Sequence, residues 1–172
     1  MDEIFRRRAR NAAISSKQQE LRKNLWPEVQ EDRLWNRKSK KGFTTIPRTM
    51  PLFMNIMDGM SKGKPVSAVY LDLWCRAFDE HLVTLNDKEK LAFWSGFTGQ
   101  RATQTWKDRL KILNSLGFIK LAPGPYGESS YALIMNPYKV VKDHHEKKTP
   151  NLTQALYNAL LERAGEIKAD DM

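Results

Sequence analysis

Between Asn86 and Met135 the chain runs through a short helical pattern, a glycine turn, a longer helical pattern, a second glycine and a hairpin. That order leaves few ways to bury its apolar positions. Asp87-Lys88-Glu89-Lys90-Leu91-Ala92-Phe93-Trp94-Ser95 reads as a helix, with Asn86 placed to cap its free N–H groups and Asp87 and Glu89 near the positive end of its dipole. Gly96 ends it, Phe97-Thr98-Gly99-Gln100 forms the turn, and Thr98 is the expected cap of the next helix. From Arg101 to Leu116, Ala102, Trp106, Leu110, Leu113 and Leu116 recur at steps of three and four, which predicts one buried face. The opposite face carries Gln100, Arg101, Gln104, Lys107, Asp108 and Lys111. Gly117 closes this helix, Phe118-Ile119-Lys120-Leu121 is a short strand, and Pro123-Gly124-Pro125-Tyr126-Gly127-Glu128 is dense in turn residues. Ser130-Tyr131-Ala132-Leu133-Ile134-Met135 is the returning strand.

Residues 86–135 resemble the second helix, turn, recognition helix and wing of the winged helix family of bacterial DNA-binding domains. The resemblance rests on Leu91, Ala92, Gly96, Thr98, Thr103 or Thr105, the basic stretch Lys107 to Lys111, and the closing Leu113, Leu116, Gly117, Phe118 and Ile119. The hairpin tip departs from the family in carrying Glu128 and no Arg or Lys. The whole chain is also similar to small bacterial proteins carried on plasmids. The implied fold is mainly α with a small β-hairpin wing, a winged helix-turn-helix with N- and C-terminal helical extensions. The implied partner is double-stranded DNA, entered through the major groove by the helix from Thr98 to Leu116.

The charge balance fits such a partner. Of 172 residues, 29 are Lys or Arg and 20 are Asp or Glu, a net charge of +9 that favours nucleic acid before a membrane surface. The hydrophobic content of 41% is ordinary for a globular protein, and one domain with extensions is expected. No run approaches the ~18 apolar residues of a membrane span and no signal-peptide core is present, so a cytoplasmic protein is expected. Cys75 lies in an apolar helical pattern and reads as a small packed hydrophobe in a reducing compartment.

Taken in order, residues 1–42 form a basic arm, expected to be partly helical. Met1 to Lys41 holds twelve Lys and Arg against six Asp and Glu, which is +6 of the total +9. Arg6, Arg7 and Arg8 fall in a stretch of good helix formers with a thin apolar face, and Arg37, Lys38, Lys40 and Lys41 in a basic loop. Such an arm is either solvated or docks on phosphates, adding affinity without sequence information. Leu25, Trp26, Val29, Leu34 and Trp35 call for a core or a second subunit to pack on.

The winged helix domain is expected over 43–136. Met50, Leu52, Phe53, Ile56, Met57 and Met60 line up as a core-facing helix stripe. The Gly59 to Lys64 spacing is one residue short of a phosphate-binding P-loop, and Pro65 stands where that motif needs Ser or Thr. Val66, Val69, Tyr70, Leu73, Trp74, Ala77, Phe78 and Leu82 predict a strongly amphipathic helix over 66–82, with Trp74 and Phe78 as scaffold and His81 on the same side. Val83-Thr84-Leu85 is a brief strand. The remainder, 137–172, is expected to be a linker and a C-terminal helix. Asn136-Pro137 stops the strand, and Tyr138 to Lys148 reads as a polar connection in which Asp143-His144-His145-Glu146 is a solvated turn with no metal. Leu152, Ala155, Leu156, Ala159, Leu160, Ala164 and Ile167 then form an amphipathic helix that packs back on the body or makes a dimer contact. A homodimer through the C-terminal or N-terminal helix is the expected protein partner.

Catalysis finds no support: there is no nucleophile elbow, no phosphate cradle of the right length and no metal-ligand spacing. The expectation is a non-enzymatic DNA binder without cofactor or metal, either a transcriptional regulator or a plasmid or mobile-element maintenance factor. Gln100, Arg101, Gln104 and Lys107 would face base edges, Arg with two donors for guanine and Gln with one donor and one acceptor for adenine. Thr98, Thr103, Arg109 and Lys111 would meet phosphates. The alternatives are a protein-interaction module using the same surface and, within DNA binding, a replication initiator or partition adaptor.

Overall fold

The computed structural model describes residues 2–169, with side chains from residue 14 onward. It divides into two compact units, Met1–Phe43 and Thr44–Met172.

The first unit is more helical than expected. Helix α1 covers Asp2–Leu25 without a break, and a short 3-10 turn follows at Glu31–Arg33. Arg6, Arg7 and Arg8 lie on α1, and their side chains fall outside the described ones. An Arg22–Glu31 ion pair ties the end of α1 to the turn. Leu25, Trp26, Val29 and Trp35 remain largely exposed, and Leu34 is half-buried, so these side chains find no core among the described residues of this unit.

The second unit is mainly helical with a small antiparallel sheet. Its first helix, α2 (Met50–Met60), starts with Pro51 in its first turn and buries Met50, Phe53, Ile56, Met57 and Met60 of the expected methionine stripe, while Leu52 is half-buried at its edge. Helix α3 (Ser67–Arg76) buries Val69, Tyr70 and Leu73 but stops six residues short of the predicted end. Beyond it Phe78 is 86% exposed, and His81 sits in a turn at φ +55° rather than on a helix face. The reason is that Leu82 belongs to strand β1 (Leu82–Thr84), where it pairs with Leu133, and the intervening turn takes Phe78 away from the core. Cys75 is exposed, on the solvent side of α3 and not packed, and partial burial together with the Asp72 charge pushes its thiol pKa up, away from thiolate.

Helix α3 has no cap of its own. Asp58 on α2 supplies one, with Oδ1 accepting from the N–H groups of Val66 (2.6 Å) and Ser67 (2.8 Å) and Oδ2 from the Ser67 hydroxyl (2.6 Å). Asp58→Ala is expected to cost about 2–3 kcal/mol, because three donors to a charged acceptor lose it together. A urea titration reads this as a lowered midpoint at unchanged slope, and a loss below about 0.5 kcal/mol, the level of an ordinary surface change, would contradict the capping role.

Next come α4 (Lys88–Trp94), α5 (Ala102–Ser115) and a hairpin of β2 (Ile119–Gly124) and β3 (Gly127–Ile134). The sheet order is β1-β3-β2, all antiparallel, with Ile119 opposite Ile134 and Gly124 opposite Gly127. The hairpin is tighter than predicted. Its strands run on to Gly124 and resume at Gly127, leaving a two-residue Pro125-Tyr126 turn, and an irregularity at Ala122/Gly124 accommodates Pro123, which has no N–H for the ladder.

The polar connection expected after the sheet is instead helix α6 (Pro137–Glu146). Asn136 caps it, accepting from the Tyr138 N–H at 2.9 Å, and Pro137 occupies the first helical position, where its missing N–H costs nothing. Tyr138 and Val141 are buried; the Tyr138 ring packs edge-on to Phe53, and its hydroxyl meets Thr49 Oγ1 at 2.6 Å. His144 is not a solvated turn residue. Its Nε2 donates to the Leu116 carbonyl at 2.7 Å, which leaves Nδ1 facing the Thr149 hydroxyl at 2.8 Å. His145 stacks on Tyr157 at 3.7 Å between ring centres. Helix α7 (Gln154–Ile167), capped by Thr153, buries Tyr157, Leu160 and Ala164 and packs back against α2.

Candidate nucleic-acid interface

Helices α4 and α5 and the hairpin form the part of the second unit that presents polar groups outward from a fixed frame. Helix α4 is capped by Asp87, not by Asn86: Asp87 Oδ1 accepts from the Lys90 N–H at 3.0 Å. It ends at Gly96 (φ +89°), as α5 ends at Gly117 (φ +81°). Thr98 is exposed in the turn and caps nothing, since α5 begins at Ala102 with Arg101 as the preceding residue and no side-chain cap. The cause is Gly99 at φ +84°, which moves the start of the helix to Ala102, four residues past Thr98.

Helix α5 is anchored by its inner face. Trp106 is fully buried and its indole N–H donates to Ser95 Oγ at 3.2 Å. That hydroxyl lies 2.8 Å from the Leu91 carbonyl and 3.2 Å from Asp72 Oδ2, so its single proton is always taken up. Asp72 in turn holds Arg76 through two bonds of 2.9 Å, and the Arg76 guanidinium lies 4.4 Å from the centre of the Trp94 ring. Trp106, Leu110 and Leu113 thus fix the rotation of α5 about its own axis.

With that rotation set, Gln100, Arg101, Gln104, Asp108 and Lys111 are exposed and Thr103 and Lys107 are half-buried. Gln104, Asp108, Lys111 and Ser115 share one stripe, four and three residues apart. The Gln104 side-chain amide donates to Asp108 Oδ1 at 3.0 Å, so a carboxylate sits in the middle of this face. Arg109 is placed differently from the other candidates, on a flank of the buried face, with its Nε buried and without a hydrogen-bond partner. Thr103 and Lys107 border an open cleft of about 550 Å³ together with Asn86, Asp87, Lys88, Glu89 and Tyr126. Lys88 donates to the Tyr126 carbonyl at 2.6 Å and so ties the hairpin tip to the start of α4. Sequence reasoning missed this tie, which joins residues 38 positions apart.

The basic loop of the first unit is a separate group. Arg37, Lys38, Lys40 and Lys41 are all exposed there. The charge is uneven between the two regions: residues 42–172 hold 17 Lys and Arg against 14 Asp and Glu, so most of the positive excess lies ahead of them.

Among the described residues no group of three or more His, Cys, Asp or Glu side chains is arranged to hold a metal ion, and no helix is long and apolar enough to cross a membrane. No family model matches the chain, and neither the curated proteins nor the solved structures contain a match.

Proposed function

We propose that this chain binds double-stranded DNA as a winged helix protein, with α5 entering the major groove and the β2–β3 hairpin as the wing. The observation that carries the reading is α5 itself: one face is locked by Trp106, Leu110 and Leu113, the opposite face offers Gln104 and Lys111 around Asp108, and Lys107 on its flank and Arg101 just ahead of the helix add two cations. A rigid helix with exposed Arg and Gln suits base reading, because the donors of Arg match guanine O6 and N7 and the amide of Gln matches adenine N6 and N7. In this reading Arg101 is a base reader. Gln104 reads adenine only by giving up its bond to Asp108. Lys107 and Lys111 meet phosphates beside the groove, with Thr98 and Thr103 at the N-terminal end of α5. Such a binder serves as a transcriptional regulator, as a plasmid or mobile-element maintenance factor, or as a replication initiator or partition adaptor; the contact chemistry is common to all of these.

Arg101→Ala tests it. Discrimination between a selected duplex and random duplex is expected to fall by about 1–3 kcal/mol, with a smaller change in affinity for random duplex. Equal losses on both would remove Arg101 as a base reader.

Asp108 at the centre of the α5 face and Glu128 near the hairpin tip favour a second reading, a protein-interaction module that docks a protein on the same surface. A salt titration separates the two, since duplex binding falls steeply with log salt through the release of counterions.

A further inference from the structure

The aromatic and basic residues at the end of the first unit form a second arrangement, independent of α5. Trp35 and Phe43 pack edge to face, with ring centres 5.7 Å apart and planes at 84°. They close the base of the Asn36–Gly42 loop, yet Trp35 stays 65% exposed and Phe43 48%. The loop is shaped by Asn36, whose carbonyl accepts from the N–H groups of Ser39 (3.1 Å) and Lys40 (3.0 Å) while its Oδ1 accepts from the Lys38 N–H (2.9 Å). Gly42 at φ +76° turns the chain back so that Phe43 reaches Trp35.

This turn presents Arg37, Lys38, Lys40 and Lys41 to solvent, and none is in an ion pair among the described residues. Within the loop and its two aromatic ends the charge is all positive, with Glu31 and Asp32 the nearest carboxylates ahead of it in the sequence. From residue 33 to residue 43 there are five Lys and Arg and no Asp or Glu. Exposed aromatic rings held beside four unpaired cations match the chemistry of a strand that offers phosphates and bare base faces at once. A duplex offers the phosphates but hides its base faces within the stack, so the rings gain nothing from it.

We infer that Trp35, Phe43 and the basic loop between them form a binding site for single-stranded nucleic acid. Bases stack on the exposed faces of Trp35 and Phe43, and Arg37, Lys38, Lys40 and Lys41 follow the phosphates. The site does not depend on the reading of α5: loss of duplex recognition in Arg101→Ala leaves it intact.

The test uses the full chain and fluorescence anisotropy with labelled oligothymidylate, oligouridylate and a random duplex of equal length. Trp35→Ala and Phe43→Ala are each expected to weaken binding of the single strand about 5- to 150-fold, the usual cost of one lost base stack, with duplex affinity unchanged. Trp35→Phe should keep most of the affinity. Both side chains are exposed, so the thermal transition of each variant should match that of the parent. Comparison of the thymidylate and uridylate arms shows whether DNA or RNA is preferred. Absence of single-strand binding, equal losses on single strand and duplex, or unchanged single-strand affinity in both alanine variants would each overturn the inference. So would capture by anionic phospholipid vesicles that depends on Trp35 while oligonucleotide binding does not.

Discussion

Trp106→Ala is expected to cost about 3–5 kcal/mol, a large part of the ~5–15 kcal/mol that holds a domain of this size together. The side chain is the largest of the fully buried ones, and its removal leaves a cavity between α5 and the rest of the core as well as a Ser95 hydroxyl without its donor. Urea denaturation should show a large fall in the midpoint. Trp94→Ala is the control: that ring is 52% exposed and touches Arg76 and Lys90 through cation–π contacts, so its loss should stay near 1 kcal/mol. Equal effects at the two positions would mean that α5 is not anchored by its inner face. The consequence reaches function, because the direction in which Arg101 and Gln104 point is set by what lies behind them.

The second large effect is electrostatic. Reversing the three cations of the α5 surface together, as Arg101→Glu, Lys107→Glu and Lys111→Glu, should lower duplex affinity about 100-fold or more near 0.1 M salt. Lys107 and Lys111 forfeit their share of counterion release, Arg101 its base contact, and the new carboxylates add repulsion beside Asp108. All three positions are at least partly exposed, so the folded state should persist and the circular dichroism spectrum should match the parent. An affinity within threefold of the parent would place the duplex elsewhere on the chain.

The parts of the fold that could be read from residues alone are those set by local period and punctuation. The methionine stripe of α2, the Trp106-Leu110-Leu113 face of α5 and the glycines at 96 and 117 each act within one or two turns, and the structure has them as expected. Errors arose where one residue type signals two things. Asn136-Pro137 ends a strand, but it also supplies a helix cap followed by proline at the first helical position, and α6 follows. Phe78 and Leu82 continue the period of α3, although Leu82 is spent on pairing with Leu133 and Phe78 is left in solvent. Contacts between distant positions carried no local signal at all. The Asp58 carboxylate caps a helix that begins nine residues later, Lys88 holds the hairpin tip, and His144 closes the end of α5. In the candidate interface, the composition of the α5 surface was readable, whereas the Gln104–Asp108 bond and the buried Nε of Arg109 depend on rotamers and packing that a helical wheel does not contain. The Trp35–Phe43 clasp was hidden for a related reason, since only the turn built on Asn36 and Gly42 brings the two rings together.

The most direct measurement is fluorescence anisotropy of the full chain with labelled random duplex DNA, repeated from 50 to 200 mM salt with genomic fragments as competitors. With Arg101, Lys107 and Lys111 as the cations of the α5 surface, the affinity should fall by about 40-fold across that range, and a small set of fragments should compete far better than the rest. No binding at 50 mM salt, or binding that does not change with salt, would contradict duplex recognition by α5 and turn attention to a protein partner for the same face.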